Sequence, residues 1–370
     1  MNKQDQSFLK IQEWFPSLTK KQRLLIAGPC SAETQAQVLQ VANELKHVGV
    51  QVMRAGIWKP RTRPGNFEGV GAIGLQWLQQ AKKETGLQTA VEVANKTHVE
   101  LALKADIDVL WVGARSTVSP FIVQEIADAL RGTDKIVLVK NPVNPDLALW
   151  MGAIERFSQA GINRIGAIHR GFSSYEKSMY RNQPEWQVAI DLKAELPSLP
   201  LLVDPSHIGG SRELIFDLTQ TAMDLNYDGM MIETHPEPDK AWSDAQQQIT
   251  PKHLETIINE IKFREVDKDE KVFQTELKYL RDKIDILDQQ IINSLGKRMK
   301  VAEEAGKLKG ENNVSVLQTE RWKKVLNNLV AQGETNNLSK AFVSKLFKAI
   351  HQESITRQSQ IIQTGKNNLA

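Results

Sequence analysis

The chain has a single cysteine, Cys30, among its 370 residues. A lone thiol has no internal partner, so no intramolecular disulfide staples the fold, and this usage suits a reducing compartment. Long apolar runs are missing as well. No stretch of about 18 apolar residues occurs, which leaves no candidate for a membrane-spanning helix. The opening segment, MNKQDQSFLKIQEW, lacks the apolar centre and small-residue cleavage site of a signal peptide. A cytoplasmic protein is expected. Nor is there an excess of charge of one sign. The net charge of +3 gives no reason to expect a nucleic-acid partner. The length points to two domains.

What is present is a rhythm. Eight short apolar runs, at 24–31, 51–56, 89–94, 109–114, 136–141, 164–171, 201–207 and 229–235, alternate with stretches long enough for a helix. Alternating strand and helix signals argue for a parallel sheet. Eight units in roughly 250 residues match a (β/α)8 TIM barrel, whose active site lies at the C-terminal ends of its strands. Those ends carry Cys30, Arg54, Glu92, Arg115, Lys140, Arg170, His207 and Glu233. That is the residue distribution of an enzyme.

After a helical pattern at 253–263, a charge-dense segment, KFREVDKDEKVFQTE, marks a boundary. Beyond it the periodicity is helical only. Leu277, Leu280, Ile284, Leu287 and Ile291 form the stripe of an amphipathic helix that runs to about Lys309. Further helices are expected at about 318–331 and 339–362. The fold class is therefore α/β, a barrel followed by an all-α domain of three helices. The expected organisation is an N-terminal extension (1–22), the barrel (23–262), a linker (263–276) and the helical domain (277–365). One helix is too long to bury its stripe alone, so a homodimer formed through this domain is expected.

Two constellations carry chemistry. Cys30, His207, Glu233 and Asp244 bring a thiolate, an imidazole and two carboxylates to one barrel mouth. This mixed set suits a divalent transition metal better than Mg²⁺ or Ca²⁺. His235 is a competing ligand. Singly, each is better explained as a buried or hydrogen-bonded residue; together at the correct strand ends, they favour a metal. The second constellation is cationic: Arg54, Lys59, Arg61, Arg115, Lys140 and Arg170. Such a cluster fits a small, highly anionic and phosphorylated substrate, since arginine pairs with phosphate and carboxylate through two hydrogen bonds. A solvated basic rim is the bland alternative.

GPCSAE at 28–33, KPRT at 59–62, GAR at 113–115, DPSH at 204–207 and ETHPEP at 233–238 together resemble the 3-deoxy-D-arabino-heptulosonate 7-phosphate (DAHP) synthases, in their compact, barrel-only branch. The resemblance implies condensation of phosphoenolpyruvate with erythrose 4-phosphate and release of phosphate. It implies a metal, Mn²⁺ foremost with Co²⁺, Fe²⁺ or Zn²⁺ as alternatives, held by Cys30, His207, Glu233 and Asp244. Arg54, Arg115, Lys140 and Arg170 would hold phosphoenolpyruvate. Lys59, Arg61 and Thr62 would meet the aldehyde, with Lys59 also a proton donor, and Glu92 or a metal-bound water would orient the attacking water. The nearest rival family uses arabinose 5-phosphate, but its aldehyde loop resembles KANRS. A metal-dependent aldolase of unrelated substrate is a third reading.

In the helical domain, LRDKIDILDQQI at 280–291 resembles the all-helical chorismate mutases, with Arg281, Arg298, Lys309, Gln318, Arg321, Ser354 and Gln358 as the implied pocket. Arg298 and Lys309 stand eleven residues apart, about 20° around a helix and roughly 16 Å along it. The implied reaction converts chorismate to prephenate, with Arg281 reaching a partner's pocket. Family members commonly carry DxxRE where this chain has Gln318 and Trp322, so both acidic positions are lost. The alternative is a non-catalytic dimerisation or ligand-sensing module. Fusion to the first enzyme of the pathway further implies feedback inhibition by prephenate or chorismate.

Overall fold

The computed structural model describes residues 8–19, 21–60, 65–175, 178–264 and 271–367. It divides into two compact units, Met1–Val266 and Asp267–Ala370.

In the first unit, eight parallel strands close into a barrel in sequence order. They are β1 (Leu24–Gly28), β2 (Val52–Arg54), β3 (Gln88–Val93), β4 (Val109–Val112), β5 (Ile136–Lys140), β6 (Ile165–His169), β7 (Leu201–Val203) and β8 (Gly229–Glu233). Nearly every strand residue is buried, because one face packs on the helices and the other fills the barrel. Successive side chains alternate between these faces. Leu24, Ile26, Val52, Ala90, Val109, Trp111, Ile136, Leu138, Ile168, Leu202 and Met231 pack together inside. The next position of the same parity is Arg54 on β2, Glu92 on β3, Lys140 on β5, Arg170 after β6, Asp204 after β7 and Glu233 on β8. The site is thus the last inward layer, standing on an apolar floor. Thr34, Asn95, Ser119, Asp146 and Thr250 then cap the helices that follow the strands.

The N-terminal extension has a structural task. Ile11, Trp14, Phe15 and Leu18 join the interior cluster. A Cβ on Gly166 would stand 3.0 Å from Trp14 Cη2, so the indole occupies space that a side chain on β6 would fill. Trp14→Ala opens a cavity at that spot. We expect the barrel to lose about 3–5 kcal/mol of stability, read as a lower midpoint for loss of the barrel's fluorescence signal in urea.

Among the described residues, the second unit has three helices, Lys271–Glu311, Thr319–Thr335 and Lys340–Asn367. The first is 41 residues long and begins inside the segment expected to be linker. It meets the last helix closely at Gly306, where a Cβ would lie 2.8 Å from Gln358 Cα. Leu280, Ile284, Leu287 and Ile291 are each more than half exposed.

Candidate active sites

The loops after β1 and β8 are laced together. Cys30 N donates to Gln248 Oε1 at 2.9 Å, the Ser31 and Ser243 hydroxyls meet at 2.5 Å, and Trp242 N donates to Glu33 Oε1 at 2.7 Å. This lacing brings Asp244 over Cys30, with 3.4 Å between Sγ and Oδ2. Among the described residues, Cys30, Glu233 and Asp244 offer ligand atoms that all lie within 4.8 Å of one another. His207 stands beside this group, its Nε2 3.8 Å from Glu233 Oε1. It does not end β7. Asp204 and Pro205 start a short helix, Pro205–Gly209, that carries it. His235 is directed elsewhere, 3.3 Å from Glu33 Oε2.

The surrounding contacts prepare the donors. Asp204 takes His207 Nδ1 at 2.8 Å, which leaves Nε2 with its lone pair toward Glu233, the usual support for a metal-ligating imidazole. Burial, with Lys140, lowers the imidazole's pKa despite Asp204 and Glu233. Glu233 Oε2 accepts from Gln247 Nε2 at 2.6 Å, whereas its buried Oε1 accepts no hydrogen bond. Burial opposes the charge of Asp244, but Arg181, His207 and Lys59 hold its carboxyl down at about 2. Burial, with Glu233, pushes the Cys30 thiol up to about 11. A carboxylate oxygen without a hydrogen bond, ion-paired to Arg54 and beside a second carboxylate and a thiol, fits a bound cation, which favours the thiolate.

Arg54 and Lys59 both donate to the Cys30 carbonyl, at 3.2 and 2.7 Å, and Lys59 Nζ lies 3.0 Å from Sγ. Arg54 also pairs with Glu233 at 3.1 Å and lies over Trp111, 4.8 Å from the ring centre. It therefore sits beneath the cluster. A cavity of about 480 Å³ opens above, lined by Lys59, Arg115, Lys140 and Arg170 among others. Lys140 is anchored by Asp204 at 2.8 Å. Arg170 is held by Asn182 Oδ1 at 2.8 Å, and burial lowers its pKa to about 10. β4 ends before Arg115, which rides on a helical turn, Ala114–Thr117, and donates to the Pro60 carbonyl at 3.1 Å. Glu92 accepts from Trp111 Nε1 at 3.1 Å, and Gly113 has no side chain to displace it. Arg61 and Thr62 lie outside the described residues.

Sequence reasoning missed Asp204, Arg181 and Gln247. Arg181 donates to Asp244 Oδ1 at 3.1 Å and to Gln247 Oε1 at 2.6 Å. Through Gln247 it also reaches Glu233. One guanidinium thus braces two carboxylates of the cluster, and only the folded loops reveal it.

In the helical unit, a second cavity of about 350 Å³ is lined by Arg298, Lys309, Gln318, Arg321, Ser354 and Gln358, with Trp322 and His351. Arg298 donates to Ser354 Oγ at 2.5 Å. Lys309 donates to Val316 O at 2.7 Å and to Gln358 Oε1 at 3.1 Å. Burial and Arg321 lower its pKa. Arg281 does not line this cavity; its side chain is exposed.

A parallel barrel with clustered thiol and carboxylate donors beneath a cationic cavity defines an enzyme for small anionic substrates. The chain belongs to the DAHP synthetase I family, whose sequence profile matches residues 18–269. Residues 280–359 match the profile of chorismate mutase type II. A DAHP synthase domain is thus followed by a chorismate mutase domain. The phospho-2-dehydro-3-deoxyheptonate aldolase of Thermotoga maritima is 32% identical over 239 residues, covering 64% of this chain and 68% of the relative. The crystal structure of a DAHP synthase from the same organism superposes with a TM-score of 0.60 at 27% identity, covering 70% of this chain and 77% of that one. The 2-dehydro-3-deoxyphosphooctonate aldolase of Rhodopseudomonas palustris is 26% identical over 257 residues, covering 63% of this chain and 85% of the relative. No helix among the described residues is long and apolar enough to cross a membrane.

Proposed function

We propose that the barrel condenses phosphoenolpyruvate with erythrose 4-phosphate, water entering and phosphate leaving, and that the helical unit rearranges chorismate to prephenate, both in the cytoplasm. The observation that carries the barrel reading is the cationic cavity directly above the Cys30, Glu233 and Asp244 cluster. Arg115, Lys140 and Arg170 hold the carboxylate and phosphate of phosphoenolpyruvate, with Arg54 supporting them from below. Lys59, Arg61 and Thr62 receive the aldehyde substrate. The two anions repel in solution, and fixed cations bring them into attack geometry. Cys30, Glu233 and Asp244, with His207 beside them, hold a divalent ion, Mn²⁺ foremost, which supplies Lewis-acid polarisation of the aldehyde oxygen. Attack by C3 of the enol leaves positive character at C2. Glu92 orients the water that captures it, and Lys59 delivers a proton to the new hydroxyl. The C2–O bond to phosphate then breaks as the C2 hydroxyl loses its proton to form the ketone. Consumption of phosphoenolpyruvate with erythrose 4-phosphate, but not with arabinose 5-phosphate, tests the assignment. The opposite preference makes the barrel a 3-deoxy-octulosonate 8-phosphate synthase.

Arg181 positions the metal ligands. Arg181→Leu removes the brace from Asp244 and Gln247, and we expect divalent-metal affinity to fall about tenfold. Direct titration of the metal-free protein measures this without any turnover.

In the mutase cavity, Arg298 and Arg321 clamp the two carboxylates, while Lys309 and Gln358 stabilise charge developing on the ether oxygen. Ser354 holds Arg298, and Gln318 faces the remaining polar end. The exposed apolar stripe from Leu280 to Ile291 is covered in a homodimer, where Arg281 enters the partner's cavity. Sedimentation of a monomer alone overturns that assembly. The fusion itself supports feedback control, with prephenate or chorismate in the helical unit inhibiting the barrel. Barrel turnover unchanged by saturating prephenate and chorismate excludes it.

A further inference from the structure

Two rings in the mutase cavity have no part in the clamp described above. Trp322 and His351 stack face to face, with centroids 3.8 Å apart and planes within 9°. They come from different helices and both line the cavity. The charged lining residues, Arg298, Lys309 and Arg321, are all cationic. They suit carboxylates. Arg298 is also tied to Ser354, and Lys309 to Gln358. His351 is different: its ring has no hydrogen-bond partner among the described residues, and its plane is set by the indole.

Burial, then Arg298 and Lys309, lowers the pKa of His351, which favours the neutral imidazole at pH 7. A neutral imidazole offers one donor and one acceptor, the complement of a hydroxyl rather than of a carboxylate. Gln318 lines the same cavity, but its side chain turns about several torsions, whereas the stack holds the imidazole ready. A hydroxyl enclosed in a cavity costs free energy unless it finds a partner.

We infer that His351, held in plane by Trp322, hydrogen-bonds the ring hydroxyl of the bound dicarboxylate, and so makes the cavity select hydroxylated rings over deoxygenated ones. This rests on the mutase reading above and adds the residue that decides specificity. A site that hydrogen-bonds a substrate hydroxyl discriminates against the analogue lacking it.

The test uses the full-length protein, with kcat and KM measured for chorismate and for 4-deoxychorismate. His351→Leu removes the polar atoms and keeps a side chain of moderate volume. We expect its kcat/KM for chorismate to fall about tenfold, mostly through KM, with the 4-deoxy analogue unaffected. His351→Asn, which keeps a donor and an acceptor, recovers part of the loss. Equal losses for both ligands, or no loss for either, overturn the inference while leaving the mutase assignment intact. If the wild type turns over no chorismate, the mutase reading fails, and calorimetric binding of prephenate decides instead. About tenfold weaker binding in His351→Leu supports the contact. Unchanged binding, or no binding by the wild type, overturns it.

Discussion

Stripping divalent metal from the protein will abolish condensation in the barrel and leave chorismate rearrangement at its starting rate. The chelated protein, assayed for both reactions in one preparation, gives the measurement. The asymmetry follows from the two cavities. Among the described residues, the mutase cavity is lined by cations, amides, one hydroxyl, rings and aliphatic side chains, with no carboxylate or thiol to attract a metal. In the barrel, Cys30, Glu233 and Asp244 converge within 4.8 Å. Without an ion, burial and Glu233 push the thiol up to about 11, so the donor set is incomplete until a cation favours the thiolate. Cys30→Ser keeps the shape but removes the soft ligand. We expect metal affinity to fall by about a hundredfold or more, since even outer-shell changes cost 10- to 100-fold, and activity to return partly at high metal concentration. Full barrel activity in the thoroughly chelated protein would falsify the metal assignment.

The same geometry explains which parts of the sites were legible beforehand. Strands buried on both faces read as continuous apolar runs, so the eight strands stood out, and counting by twos along them places Arg54, Glu92, Lys140 and Glu233 inward. Residues beyond the strand ends were harder. Asp204 is spelled out in DPSH, where Asp then Pro is also a helix start, yet the metal pattern drew attention to His207 alone. Arg181 and Gln247 carry no periodic signal. They meet only because the loops after β6 and β8 fold toward each other. In the helical unit, the resemblance implied one pocket for Arg298 and Lys309 and their spacing gave it partial support; both line one cavity. His351 was not legible, because a lone histidine on a helix has no meaning until its stacking partner arrives from another helix.

Lys309→Ala should reduce chorismate turnover by about 10²- to 10³-fold, the scale for removing one preorganised donor from a developing oxyanion, and leave condensation untouched. Lys309 is suited to this because its ammonium is held rather than free. The Val316 backbone carbonyl takes one hydrogen at 2.7 Å and the Gln358 side-chain Oε1 another at 3.1 Å, leaving a third for the substrate. The rearrangement needs no nucleophile, so acceleration depends on placing charge where the ether oxygen becomes negative. Lys309→Arg keeps the charge but not the compact point donor, and it should recover little. The pH dependence gives a second readout. Burial and Arg321 lower the pKa of Lys309, so turnover should decline on the alkaline side before an ordinary lysine would lose its proton. Arg321→Gln removes the neighbouring cation and should move that decline to higher pH, along with any loss in substrate binding. Turnover that persists undiminished in Lys309→Ala would remove the lysine from the chemistry; absence of turnover in the wild type, with condensation intact, would make the helical unit a binding module.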